Sequence, residues 1–189
     1  MPKWHTGAKL LTGTDEAEEL SADSSSLESL DERPDACYES ALRLLDHRAR
    51  SESEVRRRLA DKGFDQEKVE STLNRLKASG VINDQDFARL WTENRTASRP
   101  RSAFMVKREL QIKGIAGDTA EEAVAVIDDA ESAYRAALPR VRRLSALSPK
   151  EARLKLSAFL KRRGFSWDVV EATMKRLEAE ESDNQVQKF

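Results

Sequence analysis

The sequence predicts an all-α protein, an elongated array of three tandem three-helix units with about nine helices, preceded by a disordered acidic tail. Three observations lead there. A stretch at 160–177, LKRRGFSWDVVEATMKRL, has two weaker copies upstream, LADKGFDQEKVESTLNRL at 59–76 and LQIKGIAGDTAEEAVAVI at 110–127. Their glycines, Gly63, Gly114 and Gly164, lie 51 and 50 residues apart, and the copies align without a gap. The chain's 7 Gly and 5 Pro sit at boundaries and aromatics are only 6%, which argues against a β sandwich or barrel.

Each copy describes one helix ending and another beginning. A helix that stops with glycine in the left-handed region at C′ adds an apolar contact between C″ and C3. Placing C′ at the glycine pairs Leu59 with Phe64, Leu110 with Ile115 and Leu160 with Phe165, so Gly63, Phe64, Gly114, Ile115, Gly164 and Phe165 are the expected structural helix stops. An apolar residue precedes each leucine by four (Val55, Val106, Leu156). Apolar positions six, ten and thirteen after each glycine form a helical stripe: Val69, Leu73, Leu76; Ala120, Val124, Ile127; Val170, Met174, Leu177.

Composition suits thin helical layers rather than a thick core, since 35% of the 189 residues are charged and 39% hydrophobic. The single cysteine, Cys37, excludes an internal disulfide and fits a reducing compartment. No apolar run reaches 18 residues and no signal-peptide core follows Lys3, so the expectation is a soluble cytoplasmic protein without membrane contact. The net charge of −1 is uneven: residues 1–35 carry net −6, residues 178–189 net −3, and residues 36–177 net +8.

The expected organisation is a disordered acidic tail at 1–34, units at 35–82, 83–127 and 128–180, and an acidic tail at 181–189. Trp4 has no evident role in the first tail. Unit one opens with a helix over about 34–47, its stripe made by Tyr38, Ala41, Leu42 and Leu45. Ser51 and Glu54 spell a capping box for a second helix, and Asp65 caps a third that ends near Gly80. In unit two Asn83, with Asp86 at N3, caps a helix bearing Phe87, Leu90 and Trp91. A basic loop, TASRPRS, leads to a helix over about 102–113. The next helix has Ala116 where a cap belongs, leaving Asp118 with Glu121 as a later start. Unit three begins with a helix over about 128–144 carrying Tyr134, Ala137, Leu138 and Val141, with Pro139 a point of kinking or early ending. Ser148, Pro149 and Glu151 combine cap, N1 proline and N3 glutamate, and start this second helix one turn earlier than in unit one. The last helix fades after Leu177.

Catalytic chemistry finds no foothold. The glycines are isolated helix stops rather than a phosphate loop, and His5, His47 and Cys37 do not make a metal cluster. Asp84 and Asp86 read as helix-start charges matched to the dipole, and Cys37 as a small helix residue. No enzyme activity, cofactor or metal is expected.

The basic side chains are the remaining candidates. Arg95, Arg99, Arg101, Lys107, Arg108 and Lys113 lie in a stretch with Glu109 as its one acid. Arg140, Arg142, Arg143, Lys150, Arg153, Lys155, Lys161, Arg162 and Arg163 lie in another with Glu151 as its one acid. Unit one's Arg56, Arg57, Arg58 and Lys62 are diluted by Glu52, Glu54 and Asp61 and read as a solvated face. Stacking would align the two denser runs along one surface suited to a polyanion or an acidic protein groove. Aromatic interleaving is poor, which disfavours base stacking.

The segments YESALRLLDHRARSESEVRRRLADKGF, INDQDFARLW, KRELQIKGI and FLKRRGFSWDVVEATMKRL resemble the RecX family of bacterial recombination regulators over about 36–177. The likeness rests on the R-x-R-S step (Arg48, Arg50, Ser51), the acidic step before Phe87 and Ala88 (Asp84), and the three glycine stops. The long acidic N-terminal extension departs from the family pattern. The resemblance implies three three-helix units that bind RecA filaments on single-stranded DNA, lie in the filament groove and inhibit RecA ATPase, strand exchange and filament growth, in recombination, DNA repair and the SOS response. It also implies a monomer that binds single-stranded DNA weakly on its own. The alternative is a non-catalytic, sequence-independent nucleic-acid-binding helical module. A base-reading helix-turn-helix fits poorly, because the helices after each glycine begin QEKVE, DTAEE and WDVVE, acidic against phosphates.

Overall fold

The computed structural model describes residues 35–186, with side chains through Glu181; the expectations for residues 1–34, including Trp4, lie outside the described residues. Among the described residues there are nine helices and no strand. Unit one contains α1 (Ala36–His47), α2 (Glu52–Asp61) and α3 (Gln66–Ala78). Unit two contains α4 (Asp84–Ser98), α5 (Ala103–Ile112) and α6 (Gly117–Val124), and unit three α7 (Asp129–Leu144), α8 (Pro149–Arg162) and α9 (Trp167–Val186).

The glycine stops form as the sequence predicts. Gly63, Gly114 and Gly164 adopt φ of 85°, 82° and 89°, a region open to glycine at no steric cost. In each, the C″ amide donates to the C3 carbonyl: Phe64 N to Leu59 O, Ile115 N to Leu110 O and Phe165 N to Leu160 O, at 3.1–3.3 Å. The three C3 leucines and Val55 and Val106 are fully buried. Burying each leucine contributes about 1.5–3 kcal/mol. Each unit encloses its own core: Leu59, Leu73 and Leu76 in the first, Val106, Leu110 and Val124 in the second, Leu156, Leu160 and Met174 in the third.

Several local expectations change. Leu42, Leu90 and Leu138 are exposed, so the stripes of the opening helices are narrower than the sequence pattern suggests. Helix α6 starts directly after Ala116 without a side-chain cap; Asp118 accepts instead from Thr119 N, one residue on. Helix α7 runs through Pro139, which is exposed, so water can take the carbonyl that the missing N–H leaves unpaired. Helix α9 continues past Leu177 to Val186. Its acidic extension is used: Glu178 pairs with Arg153, and Glu180 accepts from Tyr134 Oη at 2.6 Å and from Arg176 at 3.2 Å.

The units join through contacts at matching positions. The carbonyl before a glycine stop faces the N-cap serine of the preceding unit's second helix. Ser51 Oγ donates to Lys113 O at 2.6 Å, and Ser102 N donates to Arg163 O at 3.2 Å. An aspartate opening each following unit satisfies that same helix's N1 amide: Asp84 Oδ1 accepts from Glu52 N at 2.9 Å, and Asp129 Oδ1 from Ala103 N at 2.7 Å. Asp84 is thus more than a dipole-matched charge on its own helix; it caps a helix of the neighbouring unit. Burial raises both carboxyls' pKa above the ordinary aspartate value.

Candidate interaction surface and the units that position it

The basic stretches separate into cations fixed inside the array and cations left facing solvent. Glu109 is the first organiser. Its carboxylate takes Arg95 Nε at 2.6 Å and Trp91 Nε1 at 3.0 Å on Oε2, and Arg101 Nη1 at 2.6 Å on Oε1. Lys107 pairs with Glu121, and Arg153 with Glu171 at 2.8 Å. Glu121 and Glu171 lie on other helices, so a count along the basic stretches misses them.

Glu54 is the second organiser. Arg48 reaches it with both terminal nitrogens at 3.2 Å, and Lys113 with Nζ at 3.0 Å across the junction between units one and two. Burial alone would push this carboxyl up, but the hydrogen bonds and charges of Arg48 and Lys113 hold it at about 2. The expected capping box of Ser51 and Glu54 is therefore half formed. Ser51 Oγ accepts from Glu54 N, while the Glu54 carboxylate turns to two cations, which bind it more strongly than a backbone amide would. Lys113 also sits 4.2 Å from the Trp91 ring, so it belongs to the fold rather than to a free basic face.

At the junction between units two and three, Arg163 Nη1 donates to Pro100 O at 2.7 Å. Arg140 and Arg163 each place their guanidinium carbon 4.7 Å from the Phe159 ring centre. Burial, then the charges of Arg101, Arg140 and Arg99, lowers the pKa of Arg163 below the ordinary arginine value. Lys161 lies 4.2 Å from the Trp167 ring.

Arg99, Arg108, Arg142, Arg143, Lys150, Lys155 and Arg162 are exposed and make no ion pair among the described residues. All but Arg99 and Arg108 belong to unit three. Along the sequence these stand in the same stretches as Arg95, Arg101, Lys107 and Lys113; the structure divides them by partner. Among the described residues no cluster of three or more His, Cys, Asp or Glu side chains could hold a metal ion, and no helix is long and apolar enough to cross a membrane.

The fold and this surface together define an all-helical repeat protein that displays cations from its last unit. Models of the first, second and third three-helix domains of RecX match residues 37–76, 83–124 and 127–174. The chain is 35% identical over 142 residues to the regulatory protein RecX of Chlorobaculum tepidum, covering 75% of this chain and 88% of that one. It is 34% identical over 151 residues to the regulatory protein RecX of Mycobacterium avium, covering 77% and 87%. The crystal structure of RecX from Lactobacillus salivarius superposes with a TM-score of 0.67 at 24% identity, covering 76% of this chain and 95% of that one, a likeness of fold. The chain belongs to the RecX family of regulatory proteins.

Proposed function

We propose that this protein binds RecA nucleoprotein filaments and inhibits RecA ATPase, strand exchange and filament growth, acting in the cytoplasm as a monomer and contacting single-stranded DNA only weakly by itself. Membership of a regulatory family and the name its relatives carry support the partner. The observation that carries the mechanism is the placement of the unneutralised cations. Unit one engages Arg48, Arg56, Arg75 and Lys77 in ion pairs and leaves Arg57 and Arg58 exposed without one, whereas unit three, beyond the paired Arg153 and Arg176, leaves Arg142, Arg143, Lys150, Lys155 and Arg162 without one. Such a surface attracts a polyanion or an acidic groove over a Debye length and aligns the array along it. The protein then acts by occupying protomers and strand together, and it performs no reaction of its own.

The test is RecA ATPase on single-stranded DNA, titrated with this protein. Inhibition that needs DNA-bound RecA and far exceeds what the protein's own DNA affinity explains supports the reading. ATPase that stays unchanged at equimolar protein rejects it. Inhibition that merely tracks DNA binding, with a log–log salt slope near −4 for about six neutralised phosphates, favours the plain nucleic-acid-binding module instead.

A further inference from the structure

The two junctions are built from equivalent positions. Counting back from each glycine stop, Arg48-Ala49-Arg50-Ser51 in unit one matches Arg99-Pro100-Arg101-Ser102 in unit two, so the R-x-R-S step occurs twice. By the same count Lys113 matches Arg163, and Glu54 matches Met105. In the first junction the carboxylate of Glu54 lies between Arg48 and Lys113, within 3.2 Å of both. In the second, the cations at the matching positions are Arg99 and Arg163. Arg140 and Arg163 each lie 4.7 Å from the Phe159 ring centre, the charges of Arg140 and Arg99 both bear on Arg163, and the residue matching Glu54 in the count is Met105, a thioether packed against Gly164. Arg101 is satisfied by Glu109; among the described residues Arg99, Arg140 and Arg163 pair with no acid.

Like charges held together without a counterion cost free energy that an incoming anion recovers. Arg163 is not free to swing away, since Pro100 O and the Phe159 ring hold it, and Pro100 is itself buried between Arg99 and Arg101. We infer that the junction of units two and three is a carboxylate-binding site, formed by Arg99, Arg140 and Arg163, that takes an aspartate or glutamate side chain from an acidic segment of a partner protein. The occupant's class comes from the first junction, where a glutamate fills the equivalent place from within the chain. A planar guanidinium grips a carboxylate with two parallel hydrogen bonds, which gives the site geometry as well as charge. The inference rests on the reading that the cations of the later units form the contact face, but its test measures peptide binding rather than recombinase activity, so the two can fail separately.

The test compares full-length variants in their affinity for hexaglutamate and for an oligothymidylate of equal charge. Met105→Glu supplies the missing carboxylate from within. It is expected to raise the melting midpoint and to weaken hexaglutamate binding about tenfold or more, close to the loss of one charge-assisted contact. Phe104→Glu, the same charge change at an exposed neighbour, is expected to weaken it less than about threefold. Arg99→Gln with Arg140→Gln is expected to reproduce the Met105→Glu loss without depending on how position 105 packs. Equal losses for Phe104→Glu and the two site variants overturn the proposal, as does wild-type protein that does not bind hexaglutamate. Loss confined to the oligothymidylate overturns the carboxylate assignment in favour of a phosphodiester.

Discussion

Set side by side, the junction of units one and two and the junction of units two and three share a backbone plan and differ in charge. In both, a serine N-cap meets the carbonyl before a glycine stop, and an aspartate caps the exposed N1 amide across the gap. In the first, Glu54 closes the space between the cations; in the second, Met105 leaves them without a carboxylate. Stacking is thus set by hydrogen bonds from the N-cap serine, through Oγ at the first junction and through its amide at the second, and by the aspartate that accepts from the N1 amide at both, while a single side chain decides whether the cations at a junction are satisfied internally.

The glycines give the strongest way to break the comparison. A Cβ on Gly114 would overlap Ser53, and one on Gly164 would overlap Met105 and Ser102, whereas one on Gly63 would meet nothing among the described residues. All three share a positive φ, so Gly63→Ala is expected to cost about 1 kcal/mol from backbone strain alone. Gly114→Ala and Gly164→Ala are expected to cost about 2–4 kcal/mol, because overpacking at the junction adds to the strain. Chemical denaturation of the three variants checks this; equal losses would mean that the junctions do not constrain the stops.

Glu54 sharpens the comparison through pH. Its folded pKa of about 2 lies below the ordinary glutamate value, so its stabilisation is present above about pH 4.5 and is lost as pH falls toward 2. Asp84 and Asp129 act with the opposite sign: their raised pKa values mean that burying the charged form costs stability at neutral pH, and protonation relieves it. Glu54→Gln is therefore expected to lower stability by about 1–2 kcal/mol at neutral pH. The gap from wild type should shrink between about pH 4.5 and 2. Melting midpoints of both proteins across that range measure it, and a gap independent of pH would show that Glu54 acts through packing rather than charge.

The smallest effect belongs to unit three. Helix α8 begins one turn earlier than α2 and α5, and its Ser148–Glu151 capping box is complete within the unit. Its first amides therefore need no following unit. Ser148→Ala is expected to cost about 1 kcal/mol, with faster amide exchange confined to the first turn of α8 and none at either junction.

Much of this fold is legible in the sequence because it rests on local rules. The glycine stops, their buried leucines and the serine and asparagine caps each depend on a few neighbouring residues, and all stand where the pattern places them. The surface is less legible. Glu109 reads as the one acid in a basic stretch, yet it binds two arginines and a tryptophan brought from α4 and the following loop. Lys107 and Lys113 find Glu121 and Glu54 on other helices, a pairing that only tertiary structure creates. The second R-x-R-S step is visible in the letters, but Pro100 makes it look like an irregular basic loop. The continuation of α9 is hidden for a related reason, since its acidic run reads as a tail until Arg153, Arg176 and Tyr134 appear beside it.

The most direct measurement is the affinity of full-length protein for RecA assembled on single-stranded DNA, compared between two charge reversals of equal size. One changes Arg142, Arg143 and Arg162 to glutamate, the other Arg43, Arg57 and Arg58; all six side chains are exposed. The unit-three reversal is expected to weaken binding at least thirtyfold, about 2 kcal/mol, and the unit-one reversal less than about threefold. Comparable losses from both, with both variants folded, would contradict a contact surface concentrated in the last unit.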